Sequence, residues 1–232
     1  MGLRGAFLAL NLGAPLTIKG RWPLLLAIDC STSACTAALF APDGALIGAR
    51  DELIGRGHAE RLVPMIDELL AEAGGAIPTH IVVGIGPGSF TGLRVAIAAA
   101  HGLAIGWGAS LHGMPSLALL AASAPGDEPV VAAMAGGHGE LFVQSFERAP
   151  FAATSEALNL TPRDAAAAFP TGTPVGSGAT ALAEARGDTA TNSLVPTASA
   201  ALRLPQALRS LTSAPLYVRA PDAVPRPELA QA

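Results

Sequence analysis

Charge is what this chain has least of. Lys, Arg, Asp and Glu make up 14% of its 232 residues, against about 25% in ordinary soluble domains. Half of the residues are hydrophobic, and that combination excludes an intrinsically disordered chain. The net charge is −4, so the basic surplus that a protein gripping nucleic acid by itself requires is missing. Two cysteines, Cys30 and Cys35, are too few for a disulfide framework, which points to a reducing cytoplasm. Paired histidines are also missing. His58, His80, His101, His112 and His138 stand too far apart for H-x-x-x-H or H-E-x-x-H, and no G-x-S-x-G elbow occurs. Metal-assisted and elbow-type hydrolysis therefore have no motif here.

Long hydrophobic runs are absent as well. Residues 95–111 contain His101, three glycines and Ser110, short of the roughly 20 apolar residues that spanning a membrane needs. No transmembrane helix is expected. Residues 1–23 carry Arg4, an apolar patch interrupted by Asn11, then Lys19 and Arg21. With no good cleavage site, they are expected to be an unstructured extension, or a start placed too far upstream, rather than a signal peptide.

From Leu24 the pattern is regular. Residues 24–28 form a short apolar run ending at Asp29, as in a buried central strand. Residues 35–40 read as a second strand, and Asp43-Gly44 turns the chain into a third over 45–53. Leu62, Ile66, Leu69, Leu70 and Ala73 share one helical face, and Gly74-Gly75 ends that helix. A fourth strand over 81–85, a helix over 89–107, a strand over 110–114 and a helix from Pro115 to Ala122 complete the order βββαβαβα. That order is a mixed α/β sheet with helical crossovers. A boundary is expected at 124–127, giving a first domain over 24–123 and a reduced second domain over 124–232. In the latter, 129–134 and 140–146 are strand candidates, Thr161-Pro162 opens a helix and 176–178 precede another. Residues 215–219 are a candidate short strand.

Two places could carry chemistry. Gly86-Pro87-Gly88-Ser89-Phe90-Thr91-Gly92 leads a strand into a helix. Gly86 and Gly88 would let the backbone approach an anion, and Ser89 and Thr91 could bond a phosphate or cap the helix. The spacing fits neither the dinucleotide fingerprint nor the P-loop, so a structural turn and an anion site both stay open. Asp29, with Ser31 and Thr32 beside it, could hold hydrated Mg²⁺ and a nucleotide phosphate, or could simply satisfy turn amides.

The helix over 89–107 shows small residues every four positions: Gly92, Ala96, Ala100, Ala104 and Gly108. Such a ridge permits close helix approach, and a helix apolar all round must be covered on both sides. The expectation is a four-helix contact between two similar subunits. His58, Leu62, Ile66 and Leu69 would contribute from the first helix, and the ridge with Trp107 from the second.

Taken together, Leu26-Ala27-Ile28-Asp29 with Ser31-Thr32 and Cys35, His58-Ala59-Glu60-Arg61-Leu62 with Pro64, and Gly86 through Arg94 resemble the TsaB (YeaZ-like) family. These are the bacterial dimerisation subunits of the tRNA threonylcarbamoyladenosine machinery. The match covers about residues 24–120, and its Gly-Pro-Gly-Ser-Phe-Thr-Gly-Leu-Arg stretch is highly specific. The resemblance implies the actin-like, sugar-kinase and heat-shock chaperone superfamily: two ribonuclease H-like domains, the second reduced. It also implies a non-catalytic partner of a TsaD-like subunit, which transfers the threonylcarbamoyl group to tRNA adenosine. A TsaE-like ATPase belongs to that complex, and the chain alone forms a homodimer. ATP and Mg enter at the level of the complex, with none bound tightly by this chain, and tRNA only through the complex. The family's Asp-Ala-Arg-x-Gly-Glu stretch reads Ala135-Gly136-Gly137-His138-Gly139-Glu140 here, without the Asp and Arg. Residues 215–219 resemble its closing motif. An independent ATP-binding phosphotransferase and a glycoprotease-like metallopeptidase are the alternatives, and the missing histidine pair counts against the second.

Overall fold

Alternation along the first strand sets the architecture. In β1 (Leu25–Asp29), Leu26 and Ile28 point to one face and Ala27 to the other, and all three are fully buried. The sheet must therefore be covered on both sides. The computed structural model describes residues 24–189 and 193–218. The expectations for residues 1–23, and for Arg219 in the closing motif, lie outside the described residues.

β1 pairs antiparallel with β2 (Ala34–Phe40), which pairs antiparallel with β3 (Leu46–Leu53). After helix α1 (His58–Glu72), β4 (His80–Gly84) lies parallel to β1. Helix α2 (Phe90–Trp107) then crosses to β5 (Ser110–Met114), parallel to β4. The sheet order is β3-β2-β1-β4-β5, the mixed topology that the order βββαβαβα predicts. Helix α3 (Ser116–Ser123) follows.

A second sheet repeats the scheme in shorter form. β6 (Val130–Ala135) pairs antiparallel with β7 (Leu141–Arg148), which pairs with β8 (Phe151–Ala153) and β9 (Leu158–Leu160). After α4 (Pro162–Ala168), β10 (Thr173–Val175) lies parallel to β6, and α5 (Ala179–Arg186) follows. Thr161 caps α4 by accepting the Asp164 N–H at 3.2 Å.

Three apolar layers hold the chain together. α1 and α2 cover one face of the first sheet, where Leu62, Ile66, Leu69, Ala96 and Ala100 meet Leu26, Ile28 and Val83. α3 and residues 198–204 lie between the two sheets, touching Ala27, Phe40 and Val82 on one side and Val130, Met134 and Phe146 on the other. α4 and α5 cover the outer face of the second sheet. Residues 116–122 are all buried. Each large side chain in these layers contributes about 1.5–3 kcal/mol of transfer free energy.

The segment over 215–218 forms no strand. The Leu216 N–H donates to the Ile85 carbonyl at 2.7 Å, which seats the segment beside the end of β4. Helix α2 also packs on this sheet. At 18 residues and a mean hydropathy of 1.2, with 28% of it buried, it is long and apolar enough to cross a membrane by length and composition. Yet it joins β4 and β5, parallel neighbours in one sheet. A crossover between adjacent strands must lie along the sheet face, and α2 does.

Candidate functional site

The C-terminal ends of β1 and β4 bring the two chemistry-bearing segments together. Asp29 is 1% exposed. Its Oδ1 accepts from the Ser31 N–H at 2.8 Å and the Ser31 hydroxyl at 2.6 Å. Its Oδ2 accepts from the Ser116 hydroxyl at 2.8 Å, and Ser116 Oγ in turn accepts the Gly86 N–H at 3.1 Å. This chain of bonds ties the first strand to the Gly86 loop and to the start of α3. Burial pushes the Asp29 carboxyl above its usual value, against the opposing pull of the Ser31 and Ser116 donors and of His58. Gly84 lies so close that a Cβ there would stand 1.9 Å from Asp29 Oδ2.

The Gly86 loop is pressed onto the β1–β2 turn. The Ser89 N–H donates to the Ser31 carbonyl at 2.7 Å. A Cβ on Gly88 would lie 2.2 Å from that same oxygen, and one on Gly92 would lie 2.0 Å from the Cys30 carbonyl oxygen. Ser89 Oγ accepts the Gly92 N–H at 3.2 Å and so caps α2. Thr32 Oγ1 accepts the Ala34 N–H at 3.1 Å, and Thr91 is exposed on the first turn of α2. His58, 8% exposed, donates from Nε2 to the Thr32 carbonyl at 3.0 Å. Asp29, Ser31, Gly86, Gly88 and Ser89 are thus brought together, but as partners of one another. An anion reaching the Ser89 N–H would have to take the place of the Ser31 carbonyl. Ser116, which completes the network, was not singled out by its sequence context. Its only signal is its place after Met114-Pro115, at a strand-to-helix junction.

The expected contact residues need correction. His58, Leu62, Ile66, Leu69, Gly92, Ala96 and Ala100 face inward, where the helices cover their own sheet. Ala104 and Trp107 are half-buried against the same cluster. A helix apolar all round gives no direction, so the four-residue ridge does not mark its outer side. The outward face of α2 carries Ala98, Gly102, Ile105 and Gly106 instead, with Ile105 82% exposed. Nothing lies within 4 Å of a Cβ built on Gly102 or Gly106. On α1 the outward residues include Glu60, Val63 and Asp67.

In the second half, His138 adopts φ 62° in the turn between β6 and β7, and Glu140 Oε2 accepts from Asn159 Nδ2 at 2.6 Å. An open concavity of about 620 Å³ lies near the starts of β6 and β10, lined in part by Glu128, Glu147, Gly172 and Asp188. Asp29 sits at the opposite, C-terminal end of its strand and is not part of it. Among the described residues, no group of three or more His, Cys, Asp or Glu could hold a metal ion.

Comparison with known proteins follows the fold. The family model described as TsaD, tRNA N6-adenosine threonylcarbamoyltransferase, matches residues 47–207. A protein of Escherichia coli (strain K12) described as tRNA threonylcarbamoyladenosine biosynthesis protein TsaB is 36% identical over 129 residues, which is 53% of this chain and 55% of that protein. Its Haemophilus influenzae namesake is 46% identical over 85 residues, 35% of each chain. The chain therefore aligns with about half or less of the length of these curated relatives. Among solved structures, a Pseudomonas aeruginosa protein described as similar to peptidase YEAZ superposes with a TM-score of 0.73 at 32% identity, covering 84% of this chain and 99% of its own. A second structure, YeaZ from the same organism, gives 0.72 at 30% identity with the same coverage.

Proposed function

The chain belongs to the family described as TsaD, tRNA N6-adenosine threonylcarbamoyltransferase, and within that description to the TsaB/YeaZ proteins, and from that premise we propose that it is the non-catalytic subunit of a tRNA-modifying complex. In this reading a TsaD-like partner carries out the transfer. It moves a threonylcarbamoyl group from threonylcarbamoyl-adenylate to tRNA adenosine, and this chain holds the partner in its active arrangement. A TsaE-like ATPase supplies the turnover of ATP and Mg in the complex, tRNA is met only there, and the compartment is the cytoplasm.

One observation supports a supporting rather than a catalytic role. Two of the donors that the Gly86 loop could offer to a phosphate are spent inside the chain: the Ser89 N–H on the Ser31 carbonyl at 2.7 Å and the Gly92 N–H on Ser89 Oγ at 3.2 Å. The outward faces of α1 and α2 are the proposed contact, for a second copy when the chain is alone and for the TsaD-like partner in the complex. Ile105 at 82% exposure, Val63 at 48% and the open strip at Gly102 and Gly106 favour that surface. Stable contacts of this kind bury about 1,200–2,000 Å² in total.

The test is reconstitution of tRNA modification from purified components with and without this chain. The proposal requires modification to fall at least tenfold when it is left out. Full modification in its absence would overturn the reading.

A further inference from the structure

Cys30 and Cys35 stand apart from everything described so far. The register of β1 and β2 runs from Leu25 opposite Phe40 to Asp29 opposite Thr36, and one step further places Cys30 opposite Cys35. Their Sγ atoms are 3.7 Å apart across five positions of sequence, and neither thiol is exposed. Opposed residues of an antiparallel pair have Cα atoms about 4.5–5.5 Å apart, inside the window of about 4.4–6.8 Å that a disulfide accepts. A small rotation of each side chain, with no movement of the strands, brings the sulfurs to bonding distance.

We propose that Cys30 and Cys35 are a redox pair: hydrogen peroxide joins them into an intrachain disulfide across the mouth of the β1–β2 turn, and a thiol reductant reopens it. The turn offers the access. Ser33 at its tip is exposed and Thr32 half-exposed, and local opening of the turn, which must release the Ser31 carbonyl from the Ser89 N–H and the Thr32 carbonyl from His58, uncovers the sulfurs. The thiols are unequal. In the contact between the sulfurs either S–H can donate; the bond lowers the Cys35 thiol and raises that of Cys30, and on that ordering Cys35 is the attacking group.

The atoms balance in two steps. The Cys35 thiolate attacks one peroxide oxygen, the O–O bond breaks, and the departing hydroxide takes a proton to become water, leaving Cys35 as a sulfenic acid. Cys30 sulfur then attacks Cys35 sulfur, the S–O bond breaks, and hydroxide leaves with the Cys30 proton as a second water. Two thiols lose two electrons, and the peroxide gains them.

The closed form has a structural readout. The carbonyl of Cys30 lies against Gly92 at the start of α2, and that of Thr32 accepts from His58 at the start of α1. The disulfide fixes the turn on which both helices rest. The purified full-length chain is treated with hydrogen peroxide, denatured, alkylated with iodoacetamide and mapped by mass spectrometry. The expected product is a peptide two hydrogens lighter, with both thiols protected together and dithiothreitol restoring them. A melting temperature about 4–8 °C higher in the oxidised form accompanies it. Cys30→Ser and Cys30→Ala should each abolish the two-hydrogen loss and the shift, and leave Cys35 as a sulfinic acid. Three outcomes overturn the proposal: thiols that stay alkylatable under peroxide that oxidises free cysteine, sulfinic acids in the unaltered chain, or disulfides between chains. The mass map of the unaltered chain decides even if neither variant folds.

Discussion

The backbone N–H of Ser89 donates to the carbonyl of Ser31 at 2.7 Å, so the loop that reads as an anion cradle is closed onto the turn that reads as its cation partner. Both segments keep the glycines and hydroxyls of a binding site, but the Ser31, Thr32 and Ser89 hydroxyls are each engaged within their own segment. Isothermal calorimetry on the isolated chain with ATP and Mg²⁺ should therefore show no binding tighter than about 1 mM, weaker than about −4 kcal/mol. A dissociation constant in the micromolar range would mean that the loop opens, and would return the phosphotransferase reading.

The glycines of that closure should behave very differently from those on the outer face of α2. Gly92→Ala places a methyl group 2.0 Å from the Cys30 carbonyl oxygen and should destabilise the chain by about 1–3 kcal/mol. Gly106→Ala meets open space and should stabilise it by about 0.5–1 kcal/mol through helix propensity. Urea unfolding of the two variants checks the contrast, and equal effects would contradict the packing of the loop.

Asp29→Asn keeps the shape but puts an amide where three donors converge. A loss of about 1–3 kcal/mol at neutral pH is expected. The pH profile carries a sign. Burial raises the folded carboxyl above 3.8, so the folded chain holds a proton that the unfolded chain releases. The stability tied to that proton is complete below about 3.8 and is lost as pH climbs through the folded value. The gap between the original chain and Asp29→Asn should thus narrow as pH rises to neutrality. A gap that widens would place the folded carboxyl below its unfolded value.

Two charged substitutions on α2 separate fold from contact. Ala100→Glu enters the layer beneath the helix, where Ala100 is 0% exposed, and should prevent folding. Gly102→Glu points outward into open space; it should fold normally and weaken self-association and binding to a TsaD-like partner at least tenfold. Sedimentation and pull-down assays read both, and unchanged association of the Gly102 variant would remove α2 from the contact.

Most of the first sheet is legible in the sequence, because Leu26, Ile28, Val82 and Val83 alternate or run together as buried strands do, and Pro42-Asp43-Gly44 and Gly74-Gly75 punctuate them. The direction of α2 is not legible: with apolar residues on every side, only the position of Leu26 and Ile28 beneath it decides that Ala96 and Ala100 face inward. β8, β9 and β10 span three residues each, too few for alternation to show. Ser116 carries no local signal because its partner, Asp29, is 87 positions away. Residues 198–209, which carry no periodic pattern, form short 3₁₀ turns that close the layer between the sheets.

That middle layer has a mechanical consequence. α3 presents Leu117, Leu119 and Leu120, each fully buried, to a cluster shared by both sheets. Two-lobed proteins that clamp a ligand swing about a cleft, and here the swing would have to tear apolar contacts from both halves at once. The shared layer braces the two halves rather than jointing them, so the contact proposed on α1 and α2 would rest on a frame already set.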